Sequence, residues 1–136
     1  VIAGKRKNYY YRRDNPTSAM TKFSIKKCEC GLWALEVIKQ NLTIHSDRIH
    51  EACKYANWRT HSDFYDMCIL AGVEIEYSEM YKKCLKVTQK DALSALHVPI
   101  SKQNKLRAVI MWICLAAIPI AMRFRKIKYH VNVSNR

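Results

Sequence analysis

Three groups of residues in this chain have types and spacings that suit chemistry. The first is basic and aromatic. Lys5, Arg6, Lys7, Tyr9, Tyr10, Tyr11, Arg12 and Arg13 crowd near the start, and Arg123, Phe124, Arg125, Lys126, Ile127, Lys128 and Tyr129 repeat the mix near the end. Lys and Arg neutralise phosphates and tyrosine rings stack on bases, so both stretches suit a grip on nucleic acid. The second group is Lys102, Gln103, Asn104, Lys105 and Arg107, which follow Ser101 at the start of a helical pattern. Gln and Asn pair with adenine edges, and Lys and Arg with guanine or phosphate. With Thr88–His97 as a first helix and Val98-Pro99-Ile100 as the turn, the segment has the outline of a helix–turn–helix. Pro in place of the usual turn Gly favours phosphate contact over base reading there. The third group is Cys28, Cys30, His50 and Cys53, a weak candidate zinc set, since C-x-C departs from the usual knuckle spacing.

Enzyme chemistry finds little support. Three glycines in the whole chain leave no Gly-rich phosphate loop, and H-E-x-x-H and G-x-S-x-G motifs are absent. The expectation is a non-enzymatic protein without a cofactor.

Charge segregation sharpens the basic signal. The net charge is +13 over 136 residues. Residues 1–27 hold eight Lys/Arg against one acid, residues 28–104 nine against ten, and residues 105–136 seven against none. A surface charged for solubility alone mixes its signs, so a neutral middle between two basic ends points to a polyanionic partner.

The elements that must carry these groups read as mainly α. A single helical-bundle domain is expected over 23–122, preceded by a flexible basic arm at 1–22 and followed by a basic tail or strand at 123–136. Apolar spacing places helices from Gly31, from Ser46 to about Trp58, from Ser62 to Gly72, and from Ser78 to about Leu85. Two more follow, from Thr88 to His97 and from Ser101 to the Ile118–Pro119 region. Strict alternation at Val73–Tyr77 and again after Lys126 leaves room for one small two-stranded β element, 73–77 with 126–133. Ala108–Met122 runs fifteen residues without a charge. As one helix it would measure about 22 Å, short of the roughly 30 Å of hydrocarbon in a bilayer, so it reads first as a core or subunit-contact helix.

The expected function is nucleic-acid binding, DNA or RNA, largely through the phosphate backbone and without strong sequence preference. A packaging role suits it, as a coat, nucleocapsid or ribonucleoprotein subunit that self-associates or meets a partner subunit through the apolar helix 108–118. Two alternatives stand beside it. One is a small membrane-associated subunit anchored by 108–122 with its basic flanks. The other is a secreted, disulfide-bonded basic protein, which the even count of six cysteines would fit. Cysteines on apolar helix faces favour instead a reducing compartment, inside the cell or within a nucleoprotein particle. The sequence opens on Val1 rather than Met, which reads as a processed or truncated start or a piece of a longer product.

Overall fold

A computed structural model describes residues 23–43 and 46–129. Among these residues the protein is mainly α, with five α-helices, one short 3₁₀ helix and no strand. The helices are α1 (Ile25–Asn41), α2 (Asp47–Ala71), α3 (Ser78–Lys90), α4 (Lys102–Ile113) and α5 (Ala117–Tyr129). The 3₁₀ helix, Ala92–Leu96, links α3 to α4.

α2 is the hub. Its 25 residues make a rod of about 37 Å, and α1, α3, α5 and the 3₁₀ helix all pack on it. Its start is fixed by Ser46, whose hydroxyl accepts from the Ile49 amide at 3.3 Å. Its end is fixed by Gly72 at φ 72°, where a left-handed residue lets the amide turn back onto Cys68 and Ile69 carbonyls. Trp58, Tyr65 and Ile69 of α2 form the centre of the core, joined by Cys84 of α3, Ala92 and Ala95, Ala108 and Met111 of α4, and Ile118 of α5. The Tyr65 ring stacks on Tyr81 of α3 at 5.1 Å between centroids. α1 is peripheral and buries only Cys28 completely. It approaches α2 closely at Gly31, where an added Cβ would lie 2.7 Å from the Phe64 ring.

Several sequence expectations are corrected. Ser62 and Asp63 do not open a helix; α2 runs through them. The Ser62 hydroxyl donates to the Arg59 carbonyl and Asp63 pairs with Arg59 at 3.0 Å, both uses open to a helix interior. α3 likewise runs past Thr88, which is buried inside the helix rather than capping a new one. The segment from Ala92 to His97 is a 3₁₀ turn, so the expected first helix of a helix–turn–helix is not formed.

The β element is not formed either. Residues 73–77 make a turn in which the Tyr77 amide donates to the Val73 carbonyl at 3.0 Å. Val73 is 2% exposed and Ile75 93%, so the alternating apolar residues share no face. Residues 126–129 are the last turn of α5, and 130–133 lie outside the described residues. The division drawn at 122/123 therefore falls inside a helix.

Ala108–Met122 is also not one helix. The chain breaks at Cys114, Leu115 and Ala116, and Pro119 sits in the first turn of α5. There its missing amide leaves no helical bond unmade, so the proline marks a start rather than a stop. No helix among the described residues is long and apolar enough to cross a membrane.

Candidate functional site

The basic residues at the start of α4 divide by what they touch. Ser101 caps the helix, accepting from the Asn104 amide at 3.4 Å. Arg107 is drawn inward. Its guanidinium donates to Asp66 Oδ2 at 2.6 Å, lies 3.5 Å from Asp63, and reaches the Ser62 carbonyl at 3.5 Å. This pins α4 to the middle of α2, with Asp66 8% exposed as a whole residue. Asn104 accepts from Arg59 at 3.4 Å, and Lys105 Nζ donates to the Leu96 carbonyl at 3.1 Å, at the end of the 3₁₀ helix. Lys102 and Gln103 remain, exposed and directed at solvent.

At the other basic end, Lys126 Nζ donates to the Leu70 carbonyl at 2.9 Å. A cation on a terminal carbonyl of α2 complements the negative end of that helix. Arg123 is 4.0 Å from Glu74 and its side chain is 72% exposed. Arg125 and Lys128 fall in α5, but their side chains are outside what the structure describes, as are Lys5 to Arg13.

A cationic surface that segment averages hide lies on α3. Met80, Tyr81, Cys84, Leu85 and Thr88 turn inward, toward α2 and the core. Lys82, Lys83, Lys86 and Lys90 are all exposed. At one residue per 100° they fall within about 100° of arc, opposite the buried face. Lys82, Lys86 and Lys90 stand one above another at four-residue steps, about 6 Å each along the axis. None of the four forms an ion pair with a described residue. Only Glu79, in the first turn, opposes them along this helix. The i, i+4 lysine spacing is visible in the sequence, but the acids elsewhere in 28–104 cancel it in any wider sum.

The cysteine set does not come together. Cys28 is fully buried, Cys30 exposed, and His50 and Cys53 line a cleft between α1 and α2. No cluster of three or more His, Cys, Asp or Glu suited to a metal ion occurs among the described residues. All six cysteines are free thiols. Cys28, Cys68 and Cys84 lie near enough to interact electrostatically, and burial pushes Cys68 up to about 12 and Cys84 up to about 11. Thiols held protonated in this way pack as small apolar groups and are poor nucleophiles. His61 is also buried. Burial lowers its pKa, while its Nδ1, 2.8 Å from the Asn57 carbonyl, acts as donor in the neutral ring.

The α1–α2 cleft has a volume of about 690 Å³ and an apolar floor that includes Leu35, Ile38, Ile49 and Ala56. Its charged lining groups are Glu36, Lys39, Asp47, Lys54 and Asp91. The Cys53 thiol and His50 ring share the lining, with no hydrogen bond between them and no third orienting group among the described residues.

No protein-family model matches the chain, and no curated protein or solved structure matches it.

Proposed function

We propose that the chain is a non-enzymatic nucleic-acid-binding protein that holds the phosphate backbone with little sequence preference, in a structural packaging role. The observation that carries this reading is the row of exposed lysines on α3, none of which forms an ion pair with a described residue. A surface cation with a neighbouring carboxylate has part of its charge already answered: Lys83 shares a small cleft with Glu29, Glu76 and Glu79, whereas Lys82, Lys86 and Lys90 line no such cleft and form no ion pair with a described residue. Together with the basic sequence at both ends, they gather positive charge along one face of a helix, and a phosphate polymer is the partner that answers such a row along its length. The tyrosines at 9–11 add base stacking, which tolerates any sequence.

The α4 start contributes less than its composition implies, because Arg107, Asn104 and Lys105 already have partners within the protein. That favours backbone contact over base reading. The direct test is binding of the whole chain to duplex DNA, single-stranded DNA and RNA across a salt series. A steep linear fall of log K with log salt supports the reading, and binding that barely responds to salt overturns it.

A further inference from the structure

A second surface has a different character. Leu106, Ile110 and Ile113 recur at four- and three-residue steps along the outer side of α4 and are exposed. Ile120, Phe124 and Ile127 repeat the same spacing on α5, at 58%, 68% and 72% exposure. At 100° per residue the three α5 positions fall within about 60° of arc. The buried side of α5 is a separate stripe through Ile118 and Met122. The helix thus has two apolar stripes, and only one of them is covered among the described residues. Trp112, half exposed, and Ile113 stand at the corner where α4 meets α5. Rows of exposed large apolar side chains such as these mark a contact surface.

Charge selects the occupant. Residues 105–136 contain seven Lys/Arg and no acid. Lys105, Arg107 and Lys126 are turned onto the protein, while Arg123 stands beside the α5 stripe with its side chain 72% exposed and only a long contact, 4.0 Å, to Glu74. A second copy docking through the same face would bring the same cations toward each other. A nucleic acid would answer the charge but offers nothing to a row of Ile, Phe and Ile. An anionic bilayer surface answers both, with headgroups for the cations and acyl chains for the stripe. We propose that α5, with the α4–α5 corner, lies in the plane of an anionic membrane surface, its Ile120–Phe124–Ile127 stripe at the headgroup–acyl boundary. This is a surface contact by an amphipathic helix, not a span.

The inference goes beyond nucleic-acid binding and uses another side of the molecule. α3 and α5 both pack on α2, yet no Cα pair of theirs comes within 8 Å.

The test is flotation of the full chain with vesicles of phosphatidylcholine alone and of phosphatidylcholine with about 30% phosphatidylserine. Binding is expected on the anionic vesicles and at least about tenfold weaker on the neutral ones. Phe124→Ser with Ile127→Ser should weaken it by about tenfold or more, while Lys82→Gln with Lys86→Gln leaves it nearly unchanged. Both serine sites are exposed, so an unchanged thermal melt is expected. The milder Phe124→Leu, which should retain binding, guards against loss through misfolding. Absence of anionic-vesicle binding, equal binding to both vesicles, or an unaffected serine variant overturns the proposal. So does a wild-type dimer in sedimentation velocity that the serine variant abolishes without any vesicle binding, which assigns the face to a second copy.

Discussion

Replacing Lys82, Lys86 and Lys90 together by glutamine tests the α3 surface with little disturbance to the fold. All three are exposed and form no ion pair with a described residue, so stability should move by no more than about 0.5 kcal/mol. The effect on binding can be worked from the geometry. The row spans about 12 Å of helix axis, and duplex DNA carries one charge per about 1.7 Å, so three phosphates are within reach at once. Each phosphate neutralised contributes about 0.9 to the slope of log K against log salt on duplex and about 0.7 on single strands. The variant should therefore lose about 2.7 from the duplex slope and about 2.1 from the single-strand slope. At about 0.1 M salt the duplex loss is about 500-fold, and it should vanish on extrapolation to about 1 M. Fluorescence anisotropy at four or more salt concentrations, with wild type and variant side by side, reads both slope and intercept. Parallel lines would refute the reasoning, because an affinity change without a slope change is not counterion release. A wild-type duplex slope shallower than the roughly 2.7 ascribed to these lysines would refute it as well.

Four further outcomes are expected. Deleting residues 1–13 should leave the melting temperature unchanged and lower the duplex salt slope by up to about 4.5, since five cations leave with it; an unchanged slope would make the stretch a solvated tail. Asp66→Ala should cost about 1–3 kcal/mol in urea unfolding, because Arg107 loses its 2.6 Å partner and keeps only the longer contacts to Asp63 and the Ser62 carbonyl, and the double variant with Arg107→Met should recover part of that loss. His61 has its folded pKa below the ordinary value, so the unfolded chain takes up its proton first; stability attributable to it is complete above about pH 6.5 and falls as pH drops toward the folded pKa, a slope that His61→Gln should flatten in unfolding measured across that window. In native protein, iodoacetamide should modify Cys30 and Cys114 first, then Cys53, and reach Cys28, Cys68 and Cys84 only on unfolding, as mass spectrometry of the digests can follow.

The helical class and several element ends were legible in the sequence because they rest on local chemistry. Ser46 and Ser101 cap the helices they precede, and Gly72 ends α2, since a hydroxyl acceptor and a left-handed residue act within one turn. The misreadings share a cause: a local signal with two meanings that only tertiary packing decides. Ser62-Asp63 has the look of a helix start, but Trp58 and Tyr65 on either side belong to one continuous buried face, and packing carries α2 straight through. Val73–Tyr77 alternates over five residues, too few to fix a strand when one end is held by the α2 cap and Phe23 meets Tyr77 at 5.6 Å. Pro119 fits either the end of a helix or its first turn. The site was less legible than the fold. Lysines on α3 show their spacing plainly, whereas Arg107 and Lys126 differ from solvent-facing cations only through Asp66 and the Leu70 carbonyl, supplied from 41 and 56 residues away.

The corner between α4 and α5 also bears on how the chain is made. Folded, the uncharged run from Ala108 to Met122 is divided, with Ala108, Met111 and Ile118 sealed in the core and the rest spread over two short helices. Emerging from a ribosome, the same run is a single sticky stretch whose docking surface has been synthesised long before it. α2 meanwhile waits with Trp58 and Tyr65 uncovered. Both halves of the core are thus aggregation-prone until the corner turns. Substitutions at Leu115 or Ala116 that slow this turn should therefore lower the yield of folded protein, and raise its demand for chaperones, more than they lower the melting temperature of the molecules that succeed.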